Sequence, residues 1–198
     1  MNLSSDGSSS NAEPDALPPE AAWVGLVNPK SPTNVGSVLR AAGCFSAAGI
    51  YYTGNRFHRA REFVSDTRDD HERIPLTHCE ELAGAPPVAC AVVAVELVEG
   101  AVPLMAFEHP ARALYVFGPE DGSLPPALVR QADHVVYVPT EGCLNLAASV
   151  NIVLYDRLAK SGRADLGVDL IRRSRDNNNR LRVSVQAGQP PSPAGDPA

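Results

Sequence analysis

The sequence predicts an α/β fold in which helices flank a mainly parallel sheet. Short runs rich in Val, Ala and Leu alternate along the chain with amphipathic helical segments, which is typical of such sheets. The apolar runs are continuous, as in strands buried on both faces. The chain has 198 residues, of which 44% are hydrophobic and 20% charged, so it suffices for one domain with a core.

Five strands are predicted: 22–27, 49–53, 87–97, 113–118 and 134–139. Helices are predicted at 32–47, 77–83, 125–131 and 145–160, with a further helix from Asp165 to about Arg175. The first helix has clear start signals, because Ser31 is a suitable N-cap and Pro32 suits the first helical position.

The globular part is expected to span residues 21–162. Residues 1–20 are rich in Ser, Pro and acid and are expected to be disordered. Residues 163–198 are expected to form a helix and a second disordered tail. The N-terminus lacks the basic and apolar regions of a signal peptide. The longest apolar run, 89–95, is too short to span a membrane, so no membrane partner is expected.

Charge and cysteine usage limit the kinds of ligand. The net charge of −6 argues against nucleic-acid binding by bulk charge but leaves room for a local basic patch. The four cysteines include no CxxC pair, and His71, His78 and Cys79 match no metal-ligand spacing, so no metal site is expected. Reduced cysteines are natural in the cytoplasm, which is the expected compartment.

The first helix carries an unusual line of residues. Gly36, Arg40 and Gly43 share one face, and each glycine costs roughly 1 kcal/mol against alanine. One interpretation is that another backbone or a ligand approaches closely along this line. The other is ordinary helix packing at the glycines with Arg40 at the rim.

Two loops follow predicted strands at the edge where α/β folds bind ligands. In "FGPEDGSLP", Glu120 is a candidate site residue, although the loop could be a plain turn whose acid caps the next helix. In "VPTEGCLNLAASV", Asn145 could simply be a helix cap. Neither is a P-loop, and "NPKSPTNVG" after the first strand lacks the GxGxxG of a Rossmann fold.

A basic stretch, "NRFHRAR", follows the second strand. Arg56, Arg59 and Arg61 alternate with an aromatic and a histidine, a mixture that suits RNA phosphates and bases. The alternative is a solvated, charged loop. A second basic cluster, "IRRSRDNNNRLR", begins at Ile171.

Taken together, three stretches resemble the SPOUT superfamily of RNA methyltransferases, in its SpoU/TrmH branch. "NPKSPTNVGSVLRAAGCF" is similar to the first motif of that family, in which an Arg follows an Asn by six positions. "YVFGPEDGSL" is similar to the second motif and "VPTEGCLNLAASV" to the third. The resemblance covers about residues 22–160.

This resemblance implies a fold and an assembly. The C-terminal segment of the 21–162 domain would pass through a loop to form a deep trefoil knot (an α/β knot). The knot would hold S-adenosylmethionine as the cofactor. The family works as homodimers whose active site is shared across the interface.

The resemblance also assigns residues. The catalytic motif positions fall on Asn34, Arg40, Glu120 and Asn145. The positions expected to bind the cofactor are Glu96, Leu97, Gly118, Val138, Cys143 and Leu144. Cys143 stands where the family usually has Ser, and a thiol is a weaker hydrogen-bond partner than a hydroxyl.

The implied function is S-adenosylmethionine-dependent methylation of RNA, at a ribose 2'-OH of tRNA or rRNA. Arg40 would act either as the general base or as a clamp on a phosphate. The alternative is a catalytically silent knot-fold protein that binds RNA or a partner protein.

Overall fold

The computed structural model describes residues 19–61, 74–162, 167–175 and 178–182. The chain forms two compact units, residues 1–162 and 163–198. The predicted disorder of both tails falls on residues outside the described ranges, except for a short part of the second unit.

The first unit contains a seven-stranded sheet in the order β3-β2-β1-β6-β4-β7-β5. The strands are β1 (Ala21–Leu26), β2 (Gly49–Tyr52), β3 (Leu76–His78), β4 (Ala91–Val95), β5 (Val102–Pro103), β6 (Arg112–Phe117) and β7 (His134–Tyr137). Every strand pair is parallel. The predicted α/β fold with a parallel sheet is therefore confirmed.

Helices cover the sheet and connect its strands. Among the described residues of the first unit they are α1 (Pro32–Cys44), α2 (Arg56–Arg61), α3 (Pro126–Gln131) and α4 (Leu146–Lys160), with a 3-10 turn at Leu104–Ala106. The second unit contains α5 (Val168–Ser174), which is the predicted C-terminal helix.

Several predicted elements differ from the observed ones. The helix predicted at 77–83 is wrong: β3 occupies the start of that range, and turns follow it. No helix was predicted at "NRFHRAR", for which a charged loop was the alternative to an RNA-binding stretch, but residues 56–61 form the helix α2. The strand predicted at 87–97 is shortened to β4, and the sequence analysis missed β3 and β5.

The sheet is buried on both faces, as the continuous apolar runs predict. Along β6, Tyr115 and Phe117 pack in the cluster under α1 and α4, whereas Leu114 and Val116 pack on the opposite face with Leu82. Burying both faces leaves only the ends of the strands free to hold polar groups that act together.

The arrangement of the strands places five loops at one edge. Because all strands are parallel, the loops that follow β1, β2, β4, β6 and β7 leave the sheet at its carboxyl edge. β7 lies between β4 and β5, both of which precede it in sequence. The loop after β7 therefore emerges beside the loop after β4.

The opposite, amino edge of the sheet holds the last turns of α4 through a partly buried polar network. The His109 ring contacts the Tyr115 hydroxyl through Nδ1 at 2.7 Å and Asp156 Oδ2 through Nε2 at 2.8 Å. Lys160 donates to Asp156 at 2.7 Å, and Arg157 donates to the Tyr115 hydroxyl at 3.1 Å. A neutral His109 that donates from Nε2 and accepts at Nδ1 satisfies all of these groups.

This network shifts the titration of its histidine. The His109 side chain is only 5% exposed. Burial lowers the pKa of His109 below its ordinary value of 6.5, outweighing the hydrogen bond to Asp156, and the charges of Arg157 and Lys160 lower it further. The folded protein therefore resists protonation of His109 at a pH where the unfolded chain accepts the proton.

We expect the stability of the protein to fall on mild acidification because of His109. The unfolded state binds the proton first, so the free energy of unfolding decreases as the pH is lowered from about 7 to about 5.5. His109→Gln should show a smaller decrease over this interval, measured by urea denaturation at each pH. Equal slopes in the two proteins would contradict the assignment.

Candidate active site

Three polar side chains from three separate elements form a hydrogen-bonded chain at the carboxyl edge. Asn145 Nδ2 donates to Asn34 Oδ1 at 3.1 Å, and Asn34 Nδ2 donates to Glu120 Oε1 at 3.0 Å. Asn34 lies in the first turn of α1, Glu120 follows β6, and Asn145 precedes α4. The structure thus brings together three of the four predicted catalytic residues.

The Glu120 carboxylate also accepts two backbone hydrogen bonds. The N–H of Lys30 donates to Oε2 at 2.8 Å, and the N–H of Ser31 donates to Oε1 at 3.0 Å. Partial burial by itself would raise the pKa of Glu120, but the hydrogen bonds from Asn34 and the backbone outweigh it and lower the pKa below its ordinary value. Glu120 is therefore an ionised acceptor that ties the β6–α3 loop to the start of α1.

One helix cap and the Glu120 carboxylate determine which way the two asparagine side chains point. Asn145 Oδ1 accepts from the N–H groups of Ala147 at 2.8 Å and Ala148 at 3.4 Å, so it caps α4. Since those N–H groups can only donate, Asn145 must offer its Nδ2 to Asn34. Asn34 must in turn offer its Nδ2 to the carboxylate. The direction of every hydrogen bond in the chain follows from these two requirements.

The fourth predicted catalytic residue, Arg40, lies further along α1. It is exposed and sits six residues beyond Asn34, about 9 Å along the helix axis. Gly36 and Gly43 are also exposed, which confirms that the line of three residues faces away from the core. A Cβ atom at Gly36 would meet no described atom within 4 Å, and one at Gly43 would meet only Ile74, at 3.9 Å. The packing of the described residues therefore does not require these glycines.

An open cleft of about 240 Å³ lies beside this chain of side chains. All six predicted cofactor-binding residues line it: Glu96, Leu97, Gly118, Val138, Cys143 and Leu144. Glu120 lines it as well. The loops after β4, β6 and β7 thus contribute to a single cavity.

Glu96 and Gly118 shape the cleft through the backbone. Glu96 Oε2 accepts from the N–H of Leu124 at 2.7 Å, and its Oε1 accepts from the N–H of Leu97 at 3.0 Å. A Cβ atom at Gly118 would lie 3.2 Å from Leu124 N, against backbone that cannot easily move. Glycine therefore favours the tight return of the β6–α3 loop, because a side chain here would press on the backbone at Leu124.

The basic residues assigned to RNA lie on α2. Arg59 is exposed. Arg61 ends the helix, and its side chain lies outside the described part of the structure. Arg56 forms two parallel hydrogen bonds with Asp121, at 2.9 and 2.8 Å, rather than facing solvent alone.

The sequence analysis missed three residues of this edge. Lys30 and Ser31 act through their backbone N–H groups, which residue type does not reveal. Asp121 was overlooked because no motif position falls on it, although it directly follows Glu120. In the described ranges, no group of three or more His, Cys, Asp or Glu residues could hold a metal ion. Within the same residues, no helix has the length and apolar character needed to cross a membrane.

Comparison with known proteins gives a consistent family and fold. The model of the SpoU rRNA Methylase family matches residues 21–155. No curated protein matches the chain significantly.

Three solved structures illustrate the similarity of the fold. The AdoMet-bound rRNA methyltransferase from Sinorhizobium meliloti is 24% identical with a TM-score of 0.58, over 70% of this chain and 56% of that chain. The TrmH/SpoU tRNA modifying enzyme of A. aeolicus is 18% identical with a TM-score of 0.57, over 78% and 85%. A protein described for 2-OH methylation of C/U34 on tRNA is 22% identical with a TM-score of 0.58, over 73% and 92%. The chain therefore spans little more than half of the first of these proteins.

Two contributions of Asn145 to stability can be measured separately: its capping of α4 and its hydrogen bond with Asn34. Asn145→Ala removes both, and we expect a loss of roughly 1 kcal/mol in the free energy of unfolding. Asn145→Ser keeps a capping oxygen and should recover most of that stability, while the contact with Asn34 stays broken. Denaturant titration of the three proteins measures this. Equal destabilisation by Ala and Ser would show that the contact with Asn34, and not the cap, stabilises α4.

Proposed function

Because this chain belongs to the SpoU rRNA Methylase family, we propose that it methylates RNA with S-adenosylmethionine as the methyl donor, at a ribose 2'-hydroxyl of tRNA or rRNA. The observation that carries the proposal is the position of the cleft beside the chain that joins Asn145, Asn34 and Glu120. The S. meliloti neighbour was solved with AdoMet bound, and another neighbour concerns 2-OH methylation of tRNA. Both support the choice of cofactor and reaction.

The residues of the cleft fit the cofactor. Its walls include the apolar side chains of Leu97, Val138 and Leu144, which suit a flat base, and Leu97 is 69% exposed at the rim. The tight turn at Gly118 brings backbone groups to the wall, where they can bind polar parts of the ligand. When bound, S-adenosylmethionine supplies an activated methyl group together with its own leaving group.

The protein then has to place the acceptor hydroxyl and lower the cost of its developing charge. Glu120 is a poor general base, because its pKa is lowered and its carboxylate is occupied by the three donors described above. A guanidinium also stays protonated in proteins. We therefore assign Arg40 to binding the adjacent phosphate and stabilising the alkoxide that forms as the hydroxyl proton passes to solvent. Asn34 and Asn145 are assigned to holding the cofactor loops in register.

The assembly expected from the family is part of the same proposal. Tyr155 on α4 is 63% exposed and stacks edge-on with Phe45, with ring centroids 6.5 Å apart. A partly exposed aromatic pair at the surface of the sheet-covering helices α1 and α4 supports a homodimer that buries it. We also propose that the chain around β7 forms the trefoil knot of the family. Arg59 and Arg61 are proposed as RNA contacts.

Incubation with labelled S-adenosylmethionine and total RNA tests this function, with the modified nucleotide mapped by mass spectrometry. Arg40→Ala should lower methyl transfer by about 100-fold or more, since charge stabilisation is lost, while the affinity for the cofactor measured by calorimetry stays unchanged. Arg130→Ala, on the exposed side of α3, is the control and should keep full activity. Lost cofactor binding in Arg40→Ala would move Arg40 into the cofactor site. Cofactor binding without transfer to any RNA by the unaltered protein would favour a catalytically silent binding protein.

The thiol of Cys143 lines the cleft and is exposed. We expect Cys143→Ser to be active, because a hydroxyl forms the same hydrogen bonds as a thiol and forms them more strongly. Cys44→Ser, at an exposed cysteine that ends α1, controls for the general effect of removing a thiol. The methyl-transfer assay measures both, and an inactive Cys143→Ser with an active Cys44→Ser would show that the thiol has a role of its own.

A further inference from the structure

The β6–α3 loop (118–124) carries two consecutive acids that bind different parts of the molecule. Glu120 binds the start of α1, as described above. Asp121 binds α2, where Arg56 donates from its two terminal nitrogens to the two carboxylate oxygens at 2.9 and 2.8 Å. This fork-to-fork geometry is among the stronger and more directional of protein ion pairs. The Arg56 hydrogen bond holds the pKa of Asp121 below its ordinary value.

Lys30 joins the two acids. Its N–H donates to Glu120 Oε2 at 2.8 Å, and its Nζ lies 3.5 Å from Asp121 Oδ2. The same residue therefore contacts neighbouring positions of one loop, once through the backbone and once through the side chain. Networks of this kind couple their members energetically, whereas isolated surface pairs contribute little.

Arg56 projects from a turn that is itself held tightly. Gly54 has a φ of +73°, and a Cβ atom there would collide with the side chain of Asn28. The N–H of Asn28 donates to Thr53 Oγ1 at 3.3 Å, and His78 Nε2 donates to the carbonyl of Gly54 at 3.0 Å. The backbone from which the Arg56 side chain projects is therefore held in a fixed position.

The helix that carries Arg56 is anchored in the core. Phe57 is 3% exposed and packs edge-on against Tyr52, with ring centroids 5.2 Å apart. The Arg56 side chain is itself only 30% exposed. An arginine that contacts RNA would gain from a mobile side chain. Arg56 is instead restrained at its backbone by the packing of α2 and at its guanidinium group by Asp121.

We propose that Arg56 and Asp121 are positioning residues for the cofactor site: the pair holds the middle of the β6–α3 loop, whose Gly118, Pro119 and Gly122 line the cleft. The far end of the loop is already held by Glu96 through Leu124 N. The pair replaces the RNA-contact role predicted for Arg56. This inference rests on the proposed function, because the property concerned is affinity for S-adenosylmethionine.

Calorimetric titration of S-adenosylmethionine into the full chain, without RNA, tests the proposal. Arg56→Gln and Asp121→Asn should each raise the Kd by roughly three- to tenfold, the range expected for contacting groups of one network. The double variant should bind no more weakly than Asp121→Asn alone, since that change already removes the Arg56 pair together with the Lys30 contact. Arg56→Lys should recover only part of the affinity, because an ammonium cannot reproduce the paired geometry.

Two further measurements separate positioning from other roles. Melting temperatures show whether a variant is folded, and Asp121→Asn, at a side chain 49% exposed, provides the mildest change. Arg130→Gln, on α3 and outside the cleft lining, should leave the Kd unchanged.

The outcomes that overturn the inference are distinct. An unchanged cofactor Kd in Arg56→Gln with weakened RNA binding would return Arg56 to the RNA surface. Additive losses in the double variant would show that the two residues act separately. If the unaltered folded protein bound no S-adenosylmethionine, both the proposed function and the inference would fail. If all variants bound it as tightly as the unaltered protein does, only the inference would fail.

Discussion

The Glu120 carboxylate is the interaction on which the rest of the carboxyl edge depends. An ionised carboxylate can only accept, so the groups around it must all present N–H donors. The backbone before α1 and the Asn34 amide satisfy this requirement, and the remaining oxygen of Asn34 then dictates the orientation of Asn145. One negative charge therefore sets the relative positions of the β6–α3 loop, α1 and α4.

The two ends of α4 serve different purposes. Its first turn, capped by Asn145, borders the cleft, and its last turn is fastened to the amino edge through Asp156, Arg157 and Lys160. The helix has 15 residues, which separates these ends by about 22 Å. The contacts that fasten the last turns of α4 thus lie far from the cleft. The residues of its first turn contribute less to fastening the helix and can contact a ligand.

Much of the site could be predicted from the sequence, because Asn34, Glu120 and Asn145 lie in motifs whose spacing is local. The prediction failed where structure depends on distant partners. β5 has two residues and exists only because β7 lies beside it, and β3 has a half-buried Leu76 as its sole apolar side chain facing the core. α2 was not among the predicted helices, and it forms because Phe57 anchors it in the core. The pairing of Arg56 with Asp121 joins positions 65 residues apart, and no single-sequence pattern reports such a contact.

The insertion of β7 between β4 and β5 has a consequence for how the chain is made. During synthesis, β4 and β5 emerge before the strand that separates them, and β4 must leave the place at its side open until residues 134–137 arrive. If β4 paired directly with β5 before β7 was made, this pairing would have to break before β7 could enter the sheet. An exposed strand edge can also pair with strands of other chains. The loop from 96 to 101 reduces this risk, because its polar end at Glu99 and Gly100 interrupts β4 and β5 and gives them no long matching edge. The same loop that borders the cleft therefore also separates two strands that can take their final places only once β7 is available.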